Sequence, residues 1–380
     1  MLELEALVPD LRTTAVHLDV FTGMQLGAKV NLHPGEDERL QAAEDPDAGL
    51  LQVGRVDGVV CVAHRVAVAE ANVLALHEGE DAGHGRDGID AVMPGETRRA
   101  VFAQPDWLRA VPTGARLPEA ARVVHTGCGT SFHAAQTGGA SVQALEAVLA
   151  PPEADVLVCV SHEGETALTL EAARAFRGAV WLLTGTPSSP LADLADEVIV
   201  CTPELERSWC HTASYTCAVA TLAALHGEDV NWLAAAVEEA LREEVPADRQ
   251  ERIIVAGAGP DWPTAQEAVL KLREGAWVAA EAYETEQLLH GFLSAVDDSV
   301  RAYVLEGEGR AAQRAHDAVA ALEALGCEAT LVQTRHPVID IVRFHLLTLA
   351  IAEARGIDPD SIRRTPGSPW AVAGGGPYPG

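Results

Sequence analysis

The stretch "VLVCVSHEGETALTLEAAR", from Val156 to Arg174, decides the fold class. It begins as a short apolar strand over 156–160, turns sharply through 161–166, and continues as a helix. The turn combines hydroxyls, a glycine and carboxylates, which is more polar chemistry than a change of chain direction requires. Free N–H groups and the positive end of the helix dipole make such a turn favourable for an anion. We therefore expect a strand–loop–helix unit whose turn either binds a ligand or only caps the helix.

Strand and helix patterns alternate from Met93 onwards, which is typical of α/β proteins with parallel sheets and ligands at the carboxyl ends of the strands. "RVVHTGCG" (122–129) and "RIIVAGAG" (252–259) share a basic residue, an apolar strand and a glycine-rich turn, which predicts an internal duplication. The predicted strands are 122–126, 156–160, 179–183, 197–201, 252–256, 301–305 and 328–332. The predicted helices are 165–176, 212–225, 264–279, 309–325, 338–355 and an amphipathic bridge between the two halves at 230–244.

The first 92 residues differ in composition from the rest of the chain. All seven tryptophans and all four tyrosines lie beyond them, and Phe21 is their only aromatic residue. A segment with so few large side chains buries little apolar area per residue. It could be a small, poorly packed extension, a disordered acidic leader, or translated sequence upstream of a true start at Met93, and we favour the last two. The predicted divisions are an acidic extension, two α/β domains and a tail (1–92, 93–245, 246–357 and 358–380).

The composition excludes several classes of function. The formal net charge of -29 disfavours binding to nucleic acid or anionic membranes, and no apolar run approaches the length that spans a bilayer. The seven cysteines form no CxxC pair, so neither a zinc ribbon nor a disulfide framework is indicated, and we expect a cytoplasmic protein. In this acidic chain, a phosphate would have to be bound by local N–H and O–H groups.

A second polar turn, "GCGTS" (127–131), follows another strand of the first domain. Thr130 and Ser131 in this turn, with Ser161 and Thr166 in the other, would add O–H donors to the helix N-termini. The alternative is that these residues only cap helices, each contributing about 1 kcal/mol. Two such turns after strands of one domain favour a ligand site.

Three motifs carry a resemblance to a known family: "CGTS", "SHEGET" and "KLREGAWVAAEAYETEQLLHG". Together they resemble the sugar isomerase (SIS) domain family, and most closely its double-SIS branch, the isomerase half of glucosamine-6-phosphate synthase and related aminosugar-phosphate deaminases. The resemblance covers about Met93 to Trp370 and implies two tandem doubly wound units, each a mostly parallel sheet flanked by helices. It implies that Thr130, Ser131, Ser161 and Thr166 bind the sugar phosphate, and the other predicted substrate-binding residues are Cys128, Gly129, His162, Glu163, Trp209 and His211.

The sequence departs from the family pattern within these loops. The family reads "SQSGET", whereas His162 and Glu163 stand here in place of Gln and Ser. A carboxylate repels phosphate, so Glu163 either points away, pairs with His162, or receives an amino group. The stretch "ELERSWCHTASYT" (204–216) resembles a region that closes over the sugar, and His211 in it is either a ligand contact or a helix cap. The short segment between the two loops predicts a truncated helix or strand.

The predicted chemistry lies in the second domain. Lys271 and Glu274 share a helix face at i and i+3, which could be no more than a surface ion pair. However, Lys271 is the only lysine after Lys29. The resemblance implies that Glu274 moves a proton between C1 and C2 of an open-chain sugar, and that His290 opens the ring. Because the family commonly supplies this histidine across a dimer interface, we expect a homodimer, and no metal or organic cofactor is implied.

The tail "GIDPDSIRRTPGSPW" matches the family at Gly356, Asp358, Asp360 and Arg363, but the family's Schiff-base lysine corresponds to Gly367. No cysteine nucleophile follows Met1, so we expect no glutaminase domain and no amidotransferase activity. The leading hypothesis is an aminosugar-phosphate isomerase or deaminase. The alternatives are a non-catalytic sugar-phosphate sensor and a deglycase of sugar–amine adducts. A related DNA-binding repressor would need a basic helix-turn-helix, which the acidic start of the chain disfavours.

Overall fold

The computed structural model of the chain describes residues 16–22, 24–30, 51–56, 59–64, 95–364 and 368–374. The chain divides into two compact units, Met1–Asp87 and Gly88–Gly380. In the first unit, two antiparallel hairpins are described: β1 (Val16–Thr22) with β2 (Met24–Val30), and β3 (Leu51–Val56) with β4 (Val59–His64). The expectation of a disordered or wrongly assigned start mostly concerns residues outside the described ones, and it stays a prediction.

The second unit contains two parallel sheets. The five strands of the first sheet are β5 (Val123–Gly127), β6 (Ser141–Gln143), β7 (Val156–Val160), β8 (Ala179–Thr184) and β9 (Glu197–Val200). The four strands of the second sheet are β10 (Arg252–Gly257), β11 (Ala279–Glu284), β12 (Val300–Leu305) and β13 (Glu328–Val332). Their spatial orders are β6-β5-β7-β8-β9 and β11-β10-β12-β13. The second order repeats the first without its last strand, as an internal duplication predicts.

The helices lie between and around the sheets. Those of the first half are α1 (Glu96–Arg109), α2 (Thr130–Thr137), α3 (Ala144–Leu149), α4 (Ala167–Ala175), α5 (Ala213–Leu225) and α6 (Leu233–Ala240). Those of the second half are α7 (Trp262–Ala276), α8 (Thr285–His290), α9 (Arg310–Ala324), α10 (Pro337–Arg355) and α11 (Pro369–Gly374). Among the described residues, no helix is long and apolar enough to cross a membrane.

One large apolar core joins the two sheets. It includes residues of β7 and β10 together with the helices packed between the sheets, whereas two smaller clusters lie on the outer sheet faces. Every residue of β7 and β12 is buried, because parallel strands covered by helices on both faces need apolar side chains on both sides. Helix α6 packs against α1 and α10, which agrees with the predicted bridge between the two halves.

The α/β fold with two parallel sheets is confirmed, and each predicted strand agrees with the structure to within one residue at either end. The elements that sequence patterns missed include the three-residue β6 and also β11, whose sequence "AAEAYE" lacks β-branched residues. The predicted helix 264–279 ends earlier, at Ala276, because Trp277 adopts the left-handed conformation (φ 54°) and its N–H belongs to the C-cap. The segment between the two polar loops contains the short helices α2 and α3, and its truncation relative to the family stays a prediction.

Candidate active site

A cavity of about 360 Å³ lies beside the carboxyl ends of β5 and β7. This is where the strand order of the first sheet reverses, and where open α/β sheets bind ligands. Its volume is within the usual range for small-molecule sites. The residues that line it are Cys128, Thr130, Ser131, Ala134, Val160, His162, Glu163, Thr166, Leu183, Cys201, Trp209, His211, Ser214, Tyr215, Ala218, Glu274, Ile362 and Arg364.

In the turn after β7, some polar groups stabilise the loop and others line the cavity. Ser161 is buried, and its Oγ accepts a hydrogen bond from the Gly164 N–H at 3.2 Å. Glu163 and Thr166 are exposed and line the cavity. Of the predicted binding residues in this turn, Ser161 therefore shapes the loop, while Thr166 lines the cavity with its Oγ1 3.5 Å from Ser161 Oγ. Gly129, in the other turn, does not line the cavity either.

His162 is held in place by contacts with Glu206 and His211. Its Nε2 accepts a hydrogen bond from the Glu206 N–H at 2.9 Å, and its ring meets the ring of His211 edge-on at 5.4 Å between centroids. Burial, followed by the charge of His211, lowers the pKa of His162 to about 4, so this imidazole is neutral at pH 7. Among the described residues no hydrogen bond joins His162 to Glu163, so the pairing of these two is not the arrangement found.

Glu206 caps helix α5, and His211 Nδ1 also lies 3.5 Å from Ser214 Oγ in the first turn of this helix. The buried Glu206 carboxylate accepts hydrogen bonds from Thr212 N–H at 2.7 Å and Ser214 N–H at 2.6 Å. Burial acts to raise the pKa of Glu206, but the charge of His211 and these hydrogen bonds outweigh it, so the pKa lies below its usual value. His211 lines the cavity, and its backbone adopts the left-handed conformation (φ 44°).

Lys271 is wholly buried rather than part of a surface pair. Its ammonium lies 2.9 Å from Glu274 Oε2 and 3.3 Å from Glu267 Oε1, and it donates to Thr130 Oγ1 at 3.0 Å and to the Cys210 carbonyl. Burial acts to lower the pKa of Lys271, but the two carboxylates outweigh it and raise the pKa above its usual value. Lys271 therefore stays charged and joins the loop after β5 to helix α7.

Glu267 completes this network and was not predicted from the sequence. Its side chain is fully buried, its Oε2 lies 2.7 Å from His133 Nδ1, and its Oε1 accepts a hydrogen bond from Thr130 at 3.1 Å. Burial favours the protonated acid, but Lys271 and His133 outweigh it and lower the pKa of Glu267. The spacing of Glu267 and Lys271 at i and i+4 on one helix could have identified it.

The structure brings Glu274 to the cavity but leaves His290 elsewhere in the same chain. Glu274 is partly exposed and lines the cavity, held by Lys271. His290 is the last residue of α8, is exposed, and does not line this cavity. Lys271 is buried and does not line the cavity, so of the three predicted catalytic residues only Glu274 lines it.

Other cavity residues were not identified by the motifs. Ser214 and Tyr215 come from α5, and Ile362 and Arg364 come from the tail. Cys128 lines the cavity, and burial raises the pKa of its thiol, so it is not a nucleophile of the thiolate type. Among the described residues, no group of three or more His, Cys, Asp or Glu side chains could hold a metal ion.

Comparison with known proteins supports the fold assignment. No protein-family model matches the chain. The chain is 26% identical over 346 residues to a glutamine–fructose-6-phosphate aminotransferase [isomerizing] of Zymomonas mobilis, which covers 70% of this chain and 57% of that protein. The chain spans about half the length of the curated relatives it matches, with 57%, 50% and 51% of their lengths covered.

Solved structures share the architecture of the second unit. A glucosamine-6-phosphate deaminase of Thermotoga maritima superposes with a TM-score of 0.61 at 19% identity, covering 72% of this chain and 98% of that one. A tagatose-6-phosphate ketose/aldose isomerase of Escherichia coli superposes with a TM-score of 0.58 at 18% identity, covering 72% and 98%. The fold is that of these phosphosugar enzymes.

Proposed function

We propose that this protein is a phosphosugar isomerase or deaminase that acts on an open-chain aminohexose phosphate through an enediol or enediolamine. The observation that carries the proposal is the position of Glu274, which lines the same cavity as the polar loops at the carboxyl edge of the first sheet. The similarity to an aminotransferase acting on fructose 6-phosphate supports the substrate class.

Glu274 is equipped to act as the base. The Lys271 ammonium holds its Oε2 at 2.9 Å, and among the described residues no hydrogen bond occupies Oε1. The carboxylate is thereby oriented by one oxygen and free to take a proton at the other. A base positioned in this way would remove the proton at C2 or C1 and return it to the neighbouring carbon.

The two turns of the first sheet would bind the phosphate. Ser131 and Thr166 present hydroxyls to the cavity beside the N-termini of α2 and α4, where helix dipoles favour an anion. The neutral His162 adds no positive charge, so the phosphate would be held mainly by N–H and O–H donors. Glu163, at the same cavity, fits an amino group of the substrate better than its phosphate.

The resemblance assigns ring opening to His290, which does not line the cavity of its own chain, whereas His162 and His211 do. His290 is exposed at the end of α8, where a second copy of the chain could receive it. We propose a homodimer in which each copy supplies His290 to the site of the other.

Amination of a ketose through a Schiff base is not part of the proposal. Lys271 is buried and charged, and its ammonium already contacts two carboxylates, a hydroxyl and a carbonyl. No lysine follows it in the sequence. The remaining chemistry needs only a base and a ring opener.

Deuterium exchange tests the proposal. The wild-type protein is incubated with fructose 6-phosphate or glucosamine 6-phosphate in D₂O, and the loss of the C1 or C2 proton is followed by NMR. Glu274→Gln should slow exchange by about 10²–10⁴-fold because it removes the base. The thermal stabilisation that the sugar phosphate gives should persist, because binding depends on other residues.

Glu239→Gln is the matched control, since Glu239 is exposed on α6 and should exchange at the wild-type rate. Equal exchange in the wild type and in Glu274→Gln would contradict the assigned base. A wild-type protein that is stabilised by the sugar phosphate but exchanges no proton would instead be a sensor.

A further inference from the structure

The tail of the chain is fixed at the rim of the cavity. Asp360 is buried, and its carboxylate accepts hydrogen bonds from the Glu96 N–H at 2.9 Å and the Thr97 N–H at 2.7 Å, at the start of α1. Asp358 in turn accepts from the Asp360 N–H at 3.0 Å. The tail is therefore tied to the folded domain immediately before the residues that reach the cavity.

Two residues just beyond this anchor adopt a backbone conformation that side chains disfavour. Ile362 and Arg363 have φ angles of 40° and 62°, in the left-handed region. Such backbone is strained for a non-glycine residue, and most of all for a β-branched one, and it persists where the surroundings hold it in place. Here the Arg363 guanidinium stacks on Trp277 at 4.1 Å and on Trp370 at 4.7 Å, which fixes the strained pair from the other side.

This strained turn brings Ile362 and Arg364 to the cavity wall. The Arg364 guanidinium lies 5.5 Å from the centre of the Trp209 ring, which lines the same cavity. Among the described residues, Arg364 is the only arginine or lysine that lines the cavity, and its side chain makes no ion pair or hydrogen bond with them. None of the described residues therefore occupies its five N–H donors.

The negative charge around the cavity makes a cation at this position important for binding an anion. The chain has a formal net charge of -29, and Glu163 and Glu274 both line the cavity. An anionic substrate meets an unfavourable field there unless a local cation offsets it. A guanidinium is suited to the planar, bidentate binding of carboxylate or phosphate oxygens.

We propose that Arg364 binds an anionic group of the substrate and so helps to determine which sugar derivative is accepted. The group is either the phosphate of a hexose phosphate or the carboxylate of an amino acid joined to the sugar through its amine. This inference rests on the proposed function, since it places a sugar derivative in the same cavity.

Binding measurements on three proteins test this role. Wild type, Arg364→Gln and Arg364→Lys are titrated by calorimetry with fructose 6-phosphate and with fructosyl-glycine 6-phosphate, which adds a carboxylate. Arg364→Gln should raise Kd by about 10- to 100-fold for the ligand that carries the recognised group. The Kd of Arg364→Lys should lie between those of the wild type and Arg364→Gln, because lysine keeps the charge but loses the bidentate geometry. Without ligand, all three should melt at similar temperatures, because the side chain bonds to no described residue.

Which ligand loses affinity in Arg364→Gln identifies the anionic group that Arg364 binds. Equal weakening of both ligands assigns Arg364 to the phosphate, whereas weakening of the glycine adduct alone assigns it to the carboxylate. Arg116→Gln is the control, since Arg116 is exposed and bonds only to backbone carbonyls. If the wild type binds and Arg364→Gln binds both ligands as tightly, the inference is wrong while the proposed function stands. A wild type that binds neither ligand would contradict the proposed function, and the inference with it.

Discussion

The carboxyl edges of the two sheets share one backbone design. Gly127 and Gly257 each end the first strand of their sheet, and a Cβ on either would lie within 3.0 Å of backbone atoms of the following turn. Two residues later, Gly129 and Gly259 adopt left-handed φ angles of 53° and 58°. The matching strand orders place both turns next to the point where the order reverses. The two halves therefore offer equivalent places for a ligand.

The side chains at these two places differ. Ser131 in the first turn lines the cavity, whereas its counterpart in the second turn is Asp261, which is buried. Thr334 lies 3.5 Å from Asp261, and the buried Asp340 is close enough for the two carboxyls to influence each other. Burial is the main cause that raises the pKa of Asp261 to about 6 and that of Asp340 to about 7.

This difference shows that the scaffold alone does not make the site. At the first edge, hydroxyl donors and Arg364 line the cavity beside Glu163 and Glu274, whereas at the second edge a phosphate would meet Asp261 and Asp340, which repel it once they ionise. Only the first edge also receives Glu274, through the network around Lys271. Function follows from which side chains the two copies of the design carry.

Removal of Lys271 should have the largest effect on stability. Lys271→Ala leaves Glu267 as a buried carboxylate without its principal cation and also removes one of the two hydrogen bonds that join Thr130 of the first edge to α7. We expect a loss of about 3–5 kcal/mol in the free energy of unfolding, measured by urea denaturation. Arg109→Ala, which breaks exposed ion pairs with Asp106 and Glu238, should cost at most about 1 kcal/mol. Similar losses in both variants would mean that the buried network does not hold the two halves together.

Asp340→Asn should reveal the acidic character of the second edge. Because the pKa of Asp340 is raised to about 7 in the folded protein, folding favours its protonated form. Ionisation therefore reduces stability increasingly as pH rises from about 4 to about 7, and the reduction is complete above that. The asparagine avoids this loss, so the variant should exceed the wild type by on the order of 2–3 kcal/mol at pH 8 and by less at pH 5.

Measuring the free energy of unfolding of Asp340→Asn and wild type from pH 4 to pH 8 checks whether the difference between them grows with pH, as predicted. Buried histidines such as His336 and His345, whose pKa values burial lowers to about 4, titrate in both proteins and cancel in the difference. Asp193→Asn, at an exposed residue of the first half, should show no such trend. A difference between Asp340→Asn and wild type that is constant with pH would exclude a protonated carboxyl at the second edge.

Sequence patterns predicted the elements with strong periodicity and the residues within motifs. The buried strand Val156–Val160 and the polar turn that contains Thr166 follow from such local patterns, whereas the expectation that Glu274 lies at the site came from the family resemblance. The burial of Lys271 and its contact with Thr130 could not be predicted, because they depend on how α2 packs against α7. The position of Arg364 depends on two left-handed residues, which no composition or spacing indicates.

We expect the first edge, and not the second, to bind a sugar phosphate. Calorimetric titration of fructose 6-phosphate into wild type, Thr166→Ala and Thr334→Ala tests it, because the two threonines lie at the two edges. Thr166→Ala should raise Kd by about 10-fold through the loss of a hydroxyl to a charged group, Thr334→Ala should match the wild type, and unphosphorylated fructose should bind far more weakly. A loss of affinity in Thr334→Ala with none in Thr166→Ala, or equal affinity for fructose with and without its phosphate, would contradict the account.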